Sequence, residues 1–337
     1  MFIERGDADI SRVFRRREKR DERHMLAERD LMPVTTVATL SGKRGELVQG
    51  CTSGGIDFLC AMPFPLPATV RLRLVAGRDV ITEPLDFPKT QRLVRRLLDD
   101  TGLFDTGALL RFRLSEKIGV GCGTSSQTMQ LAATALAGAG FLSITPALLG
   151  PKLAAVEPCD IFPANGALLL WNFKTGTPLS EPAHLPPGAY VAGYPIDRCL
   201  ITDEVDKSRP VYSAEQLRIY DAIHEHFPAL LRAGELSRVG EMTATSADIN
   251  QQWFPRGEVA GLRRLRARGD IDGYFVGHSG TVVGAFSSDP DRQRWLVREF
   301  SRVVGPRYDI AAFVQDADSR GVPFLNAAGR SLIRFVS

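Results

Sequence analysis

Alternating apolar and polar positions predict β-strands over much of the first half of the chain. Runs of this kind lie at Val34–Leu40, Gly45–Gln49, Ala68–Val75 and Leu109–Leu114. Because side chains alternate between the two faces of a sheet, such runs are typical of half-buried strands. Between them, Lys89–Thr101 places its leucines at helical spacing and predicts an amphipathic helix. The first half therefore alternates strands with helix.

Helical periodicity is more common further along the chain. An alanine- and leucine-rich run without proline predicts a helix over Gln127–Ala139. Ser213 precedes Ala214–Ala233, where apolar residues recur at helical spacing, so this run predicts a capped amphipathic helix. Further helices are predicted at about 235–253 and 258–268, and strands at about 167–173, 190–194, 273–276 and 281–287. The pattern predicts a mixed α and β fold.

Composition divides the chain into three parts. Residues 1–32 are crowded with arginine and acidic residues in nearly balanced numbers, which predicts a charged N-terminal extension. We interpret it as a solvated, partly helical tail; an arm that binds nucleic acid or a partner through its arginines is the alternative. The segment Pro178–Pro187 holds four prolines in ten residues. It is the predicted boundary between two domains, at 33–180 and 181–337.

Charge and cysteine content narrow the class of protein. The formal net charge is only +3 over 337 residues, so neither nucleic acid nor a membrane is an expected partner. The five cysteines include no C-x-x-C pair, which argues against a disulfide framework or a zinc site and favours a reducing cytoplasm. No apolar run reaches the roughly 20 residues that cross a bilayer. A small molecule is therefore the expected partner.

The segment 117–126, KIGVGCGTSS, carries the strongest chemical signal. Its three glycines let backbone amides approach an anion closely, and its hydroxyl residues open a predicted helix whose N-terminus favours phosphate. Glycines at this spacing also serve turns and close packing, which is the alternative. The run is neither a Walker loop nor a dinucleotide fingerprint. The predicted nucleotide-binding residues are Gly119, Gly121, Cys122, Gly123, Thr124, Ser125 and Ser126.

Five segments resemble motifs of the GHMP kinase superfamily, which includes galactokinase, homoserine kinase and mevalonate kinase. The glycine-rich segment resembles its P-x-x-x-G-L-G-S-S-A loop, with Lys117, Cys122 and Gln127 replacing proline, leucine and alanine. GELVQG at 45–50 is similar to the first motif of the L-threonine kinase branch that serves cobalamin side-chain synthesis. VEPCD, ATSADINQ and GHSGTVVG, which begin at residues 156, 244 and 277, resemble three further motifs of that branch in the same order.

The resemblance implies separate roles for the polar residues after the loop. In the superfamily the second loop serine and a later glutamate hold magnesium; these correspond to Ser125 and Glu157, with Ser126 as an alternative. An aspartate soon afterwards acts as base or orienter for the acceptor hydroxyl, and Asp160 occupies that place. The sequence supports this assignment independently of the resemblance. No acidic residue stands at 127–156, so these two carboxylates are the first after the loop. A surface turn is the alternative interpretation of the pair.

The same resemblance implies a fold, cofactors and a substrate site. The expected fold is α+β, the two-domain GHMP kinase architecture, with an N-terminal ribosomal-protein-S5-like nucleotide-binding domain and a C-terminal ferredoxin-like domain. ATP and Mg²⁺ are the implied cofactors, bound between the domains. The residues implied in substrate binding are Glu46, Gln49, Asn250, His278, Ser279 and Gly280.

The sequence thus predicts a cytoplasmic, ATP-dependent kinase that phosphorylates the hydroxyl of a small metabolite, with L-threonine or a related hydroxy-amino acid or amino alcohol as acceptor. Two alternatives stay open. The altered loop and the N-terminal extension would also fit a degenerate, non-catalytic member that binds a ligand and regulates a partner. A diphosphate decarboxylase would need two basic clamps for its substrate, and these are not evident. A homodimer is left open.

Overall fold

The structure is a computed structural model that describes residues 35–114, 123–141, 145–159, 167–195, 211–277 and 282–316. Its strands are β1 (Thr35–Cys51), β2 (Asp57–Ala76), β3 (Val80–Glu83), β4 (Thr106–Arg113), β5 (Trp171–Asn172), β6 (Thr177–Pro178), β7 (Gly188–Pro195), β8 (Gly273–Val276), β9 (Val283–Ser287) and β10 (Tyr308–Gln315). Its α-helices are α1 (Pro88–Asp100), α2 (Thr124–Gly138), α3 (Pro146–Ala154), α4 (Ala214–Ala233), α5 (Leu236–Asn250), α6 (Gly257–Ala267) and α7 (Gln293–Val304).

One sheet joins the described strands in the order β10-β7-β9-β8-β1-β2-β4-β3, with β5 and β6 paired beside β2. β1 pairs antiparallel with β2 over nearly its whole length and meets β8 where Glu46 lies opposite Val276. β1 therefore connects the strands formed before residue 114 with those formed after residue 188. The sheet is continuous across the predicted boundary near residue 180, and the division into two domains there stays a prediction.

The pairing of β1 with β2 is irregular in the middle of the strand. Register shifts fall between Leu40 and Gly42, between Lys43 and Glu46, and between Glu46 and Val48. Bulges of this kind turn side chains away from strict alternation. The chain from Lys43 to Glu46 is accordingly buried on both faces of the sheet, and the polar residues of this stretch lie inside the molecule.

Apolar faces of the helices cover the sheet and form its cores. α1 and α2 pack Leu93, Leu97, Met129 and neighbouring residues against β1, β2 and β4. α4 packs Tyr220, Phe227 and other apolar residues against the other end of β1 and β2. The remaining core lies between α6, α7 and strands β7 to β9. Burial of large apolar side chains at this scale is the main source of stability.

A hydrogen bond between buried threonines joins the first turns of α1 and α2. The Thr90 and Thr128 hydroxyls are 2.9 Å apart, and the Thr128 hydroxyl also donates to the Ser125 carbonyl at 3.0 Å. Both threonines are fully buried. The start of α1 is therefore held at a defined place beside the start of α2.

The helices predicted from periodicity are confirmed to within three residues at either end. The predicted strands 34–40 and 45–49 form the single strand β1, because the bulges bend the strand without ending it. α3, α7 and β10 were not predicted. Of the predicted strand at 167–173, only Trp171–Asn172 is a strand.

The described helices include none that is both long and apolar enough to cross a bilayer. Residues 1–32, the predicted N-terminal extension, lie outside the described residues, and that assignment stays a prediction.

Candidate active site

Gly123 begins α2 in a conformation that favours glycine. Its φ is +71°, in the left-handed region. A Cβ placed on it would lie 2.5 Å from Cε of Lys43. The positive φ thus disfavours a side chain here, and a side chain would also require the Lys43 side chain of β1 to shift. The predicted loop residues Gly119, Gly121 and Cys122 lie outside the described residues.

Thr124, Ser125 and Ser126 form the first turn of α2. No acidic residue lies in this turn, so the partial positive charge of the helix N-terminus favours an anion here. Gln127 follows, and its side chain lies against β1, with Nε2 3.5 Å from the place of a Cβ on Gly42. The bulk of this residue is therefore accommodated in the core of the protein.

The Ser125 hydroxyl donates a hydrogen bond to Oε1 of Glu157. The other carboxylate oxygen, Oε2, accepts from the ammonium group of Lys89, in the first turn of α1. Glu157 is mostly buried, with 12% of its side chain exposed, and Lys89 is half-buried with 26% exposed. The structure therefore brings together the two predicted magnesium ligands and adds a cation that the sequence did not indicate.

This pair of residues fits a magnesium ion. A hydroxyl and a carboxylate are hard oxygen donors, and Mg²⁺ in phosphoryl-transfer sites takes only one or two carboxylates and completes its shell with water and substrate phosphates. The described residues, this site included, hold no group of three or more His, Cys, Asp or Glu that could bind a metal, so water and phosphate would have to complete the shell of a cation here. Ser125 and Glu157 are thus the donors best suited to a cation beside the loop.

A second ion pair lies on the other side of Gly123. Lys43 donates to Oε1 of Glu46, and both side chains are almost fully buried. The Lys43 side chain also packs along Gly123. The predicted substrate-binding residue Glu46 is therefore next to the start of α2, linked to it through Lys43.

Cys159 is a buried cysteine on which charges of both ion pairs act. Burial raises the pKa of its thiol to about 12, and Glu157 raises it further, whereas Lys43, a hydrogen bond with Ser126 and Lys89 act in the opposite direction. The thiol is thus close to both lysines and stays protonated at neutral pH. It forms part of the buried floor of the site and is not a reactive nucleophile.

Two of the predicted substrate-binding residues lie where β1 meets α5. The Gln49 N–H donates to the Ser246 hydroxyl at 2.9 Å, and that hydroxyl donates to the Gln49 carbonyl at 2.8 Å. Asn250 lies one turn beyond Ser246 and is 7% exposed. Its Oδ1 is buried and has no hydrogen-bond partner in the described part of the chain. An unpaired buried acceptor is costly, which makes this oxygen a candidate ligand-binding atom.

Arg256, which follows α5, is a further polar residue of the region that contains Gln49 and Asn250. Its guanidinium donates long hydrogen bonds, of 3.5 and 3.4 Å, to the Gly277 carbonyl, and its backbone N–H donates to Gln251 at 2.7 Å. Burial lowers its pKa to about 10, and the nearby Tyr308 and Glu46 oppose that shift. Arg256 is therefore a permanent cation close to Glu46.

The structure thus gathers Glu46, Gly123, Ser125, Ser126 and Glu157 into one region, with Gln49 and Asn250 at its α5 side. Asp160, His278, Ser279 and Gly280 lie outside the described residues, so their predicted roles stay predictions. Sequence reasoning missed Lys43, Lys89 and Arg256. Lys43 stands two residues before the GELVQG motif, a proximity that could have drawn notice. Neither Lys89 nor Arg256 stands in a segment whose pattern indicates a site.

Comparison with solved structures identifies the fold. Homoserine kinase from Cytophaga hutchinsonii superposes with a TM-score of 0.62 at 13% identity, covering 86% of this chain and 97% of the other. Mevalonate-3-kinase from Thermoplasma acidophilum, with mevalonate 3-phosphate and ADP bound, gives 0.61 at 10% identity, covering 84% and 97%. A protein named MDDEF, in complex with MVAPP, AMPPCP and magnesium, gives 0.60 at 12% identity, covering 83% and 100%.

No protein family model and no curated protein sequence matches the chain. The structural likeness at these low identities establishes the fold, and it spans nearly the whole length of each neighbour. It confirms the predicted α+β class. The chain therefore has the α+β fold seen in these solved structures of homoserine kinase and mevalonate-3-kinase.

Proposed function

We propose that this protein is an ATP-dependent kinase that transfers the γ-phosphoryl group to the hydroxyl of a small metabolite. The observation that carries the proposal is the hydrogen bond from Ser125, in the first turn of α2, to the mostly buried carboxylate of Glu157. It joins the two residues that were predicted to hold magnesium from motifs 32 residues apart. Neighbours of the same fold that carry ADP, or AMPPCP with magnesium, support ATP and Mg²⁺ as cofactors.

In this proposal the residues around Gly123 bind the nucleotide. The N–H groups at the start of α2 donate to phosphate oxygens, and Gly123 leaves room for those oxygens near the backbone. Ser125 and Glu157 would hold Mg²⁺, which when bound neutralises charge that builds up on the phosphate oxygens. Lys43 and Lys89 supply positive charge on either side of Ser125. Such charge stabilises phosphoryl transfer, in which positioning and electrostatics supply most of the catalysis.

The acceptor would lie beside Glu46, Asn250 and Arg256. A guanidinium suits a carboxylate, a buried glutamate suits an ammonium group, and the Asn250 amide oxygen accepts from N–H or O–H. This set of charges favours a zwitterionic hydroxy-amino acid over a neutral sugar, and L-threonine is the first candidate. Asp160 would orient or deprotonate the acceptor hydroxyl. Gln49, His278, Ser279 and Gly280 would shape the same pocket.

The test is ADP release from ATP and Mg²⁺ across a panel of hydroxy-amino acids, amino alcohols and sugars. We expect release with L-threonine or a close relative and none with neutral sugars, with Ser125→Ala as the inactive control. A protein that binds ATP tightly but releases no ADP with any acceptor would support the non-catalytic regulator instead. Release with sugars alone would overturn the assignment of the acceptor class.

We expect removal of residues 1–32 to leave turnover nearly unchanged. All the described site residues lie between residues 43 and 256. The composition of residues 1–32 is that of a solvated tail. The measurement is kcat of the truncated and full chains with the best acceptor, after circular dichroism shows that both are folded. Complete loss of activity in a folded, truncated protein would assign the extension a functional role.

A further inference from the structure

Lys89 has an unusual place for a lysine. It is the second residue of α1, directly after Pro88, and there is no acidic residue in the first turn of that helix. A cation at a helix N-terminus opposes the helix dipole and costs stability. The lysine therefore contributes nothing favourable to its own helix. Its ion pair with Glu157, a residue 68 positions away, is a favourable interaction that offsets this cost.

The position of Lys89 relative to Ser125 is defined by the fold. Thr90, the next residue, contacts Thr128 on α2, and Thr128 in turn bonds to the Ser125 carbonyl. These two hydrogen bonds join the start of α1 to the start of α2. The ammonium group thus reaches Glu157 from a fixed anchor, and its long side chain keeps freedom of movement at the tip.

Both oxygens of Glu157 are engaged in the structure. Oε1 accepts from the Ser125 hydroxyl and Oε2 from the Lys89 ammonium. A divalent cation that binds Glu157 must compete with Lys89 for the carboxylate, because two cations in contact with the same group repel one another. Lys89 is only half-buried, so its ammonium group can leave Glu157 while its helix stays in place.

We propose that Lys89 is a positioning residue that couples metal binding to nucleotide binding. It pairs with Glu157 until magnesium arrives with the nucleotide. Its side chain then moves, and the ammonium group pairs with a phosphate oxygen instead. Magnesium alone is thereby bound weakly, and magnesium with nucleotide strongly. The inference rests on the proposed function, since it takes Ser125 and Glu157 as the metal ligands.

The test measures binding, without turnover, on the full chain. Mn²⁺, a calorimetric and magnetic-resonance probe for the magnesium site, is titrated into wild type and Lys89→Met, with and without ADP. Without ADP, we expect Lys89→Met to bind Mn²⁺ about 5-fold more tightly, since it removes the competing cation. We expect its affinity for ADP to fall about 10- to 100-fold, the usual effect of losing a hydrogen bond between charged groups.

Lys152→Met is the matched control. Lys152 also pairs with a carboxylate, Asp100, but both side chains are well exposed, and Asp100 lies at the opposite end of α1 from Lys89. Its removal should change neither affinity. Lys89→Arg, which keeps the charge, should restore most of the ADP affinity lost in Lys89→Met.

The outcomes separate this inference from the proposed function. If Glu157→Gln abolishes Mn²⁺ binding but Lys89→Met leaves both affinities unchanged, the coupling role is wrong and the metal site stands. If Glu157→Gln and Ser125→Ala leave Mn²⁺ binding intact, the metal site itself is wrong. Should Lys89→Met fail to fold, Lys89→Gln takes its place; failure of both to fold would show that Lys89 is structural and would overturn the inference.

Discussion

Replacement of Gly123 by valine is expected to abolish ATP binding. The residue has φ +71°, and a Cβ there would collide with Cε of Lys43 at 2.5 Å. Valine is poorly tolerated at positive φ because its branched side chain clashes with the backbone. The start of α2 must then move, and with it the N–H groups that would hold phosphate. Calorimetric titration of ATP and Mg²⁺ into the folded variant measures the effect.

Gly140 provides the matched control for this prediction. It lies just after the other end of α2 and also has a positive φ, of 83°, but nothing lies within 4 Å of a Cβ placed on it. Gly140→Val should be strained and slightly less stable, yet bind ATP as wild type does. Equal ATP affinity in folded Gly123→Val and wild type would show that the phosphate is bound elsewhere.

The second large effect is expected at Asp160, with Glu157 as its contrast. In Asp160→Asn, both substrates should still bind, and kcat should fall by roughly 10²–10⁴-fold if the carboxylate is a general base. The fall should be much smaller if Asp160 only orients the hydroxyl. Glu157→Gln should instead raise the magnesium concentration needed for half-maximal rate, because a neutral amide is a poorer ligand than a carboxylate for a hard cation.

The measurement is kcat and the magnesium dependence of both variants with the same acceptor. Glu225→Gln, on the exposed surface of α4, is a control for loss of an acidic residue remote from the loop. Matching, near-wild-type behaviour of Asp160→Asn and Glu157→Gln would place neither carboxylate at the reaction centre. The two variants should differ although only three positions separate them, since one residue is assigned to the metal and the other to the acceptor.

Several features of this protein could be predicted from the sequence because they depend on neighbouring residues. Ser213 caps α4 through a capping box with Gln216, and the helix follows the run of apolar residues that predicted it. Gly123 stands where a left-handed residue must begin α2. These features depend on residues a few positions apart, so their physical cause lies within the segment itself.

Strand boundaries depended on pairing partners and were harder to predict. β2 runs through Pro63, Pro65 and Pro67, residues that cannot donate to a ladder and that normally end a strand. The strand continues because its partner β1 is bulged at the same place, so the regular donors are not required there. Nothing in either segment alone reveals this compensation.

The proposed magnesium ligands and the cations beside them illustrate the same difference between local and tertiary information. The motifs alone placed Ser125 and Glu157 together, and the structure confirms their contact. The partners Lys89 and Arg256 come from distant segments that carry no motif. Arg44 is a further case: it is fully buried beside the GELVQG motif, where it donates to the Asp309 carboxylate at 3.0 Å, 265 positions away.

Sequence by itself thus determined five of the seven described helices, because each follows from residue types at short spacing, and its motifs singled out Ser125 and Glu157. Only the tertiary structure decided which cations neutralise Glu46 and Glu157, and that the Asn250 amide oxygen lies buried without a partner among the described residues. Ion pairs and buried polar atoms depend on distances between elements that are remote in the chain. Those distances are set by how helices and strands pack, which periodicity does not specify.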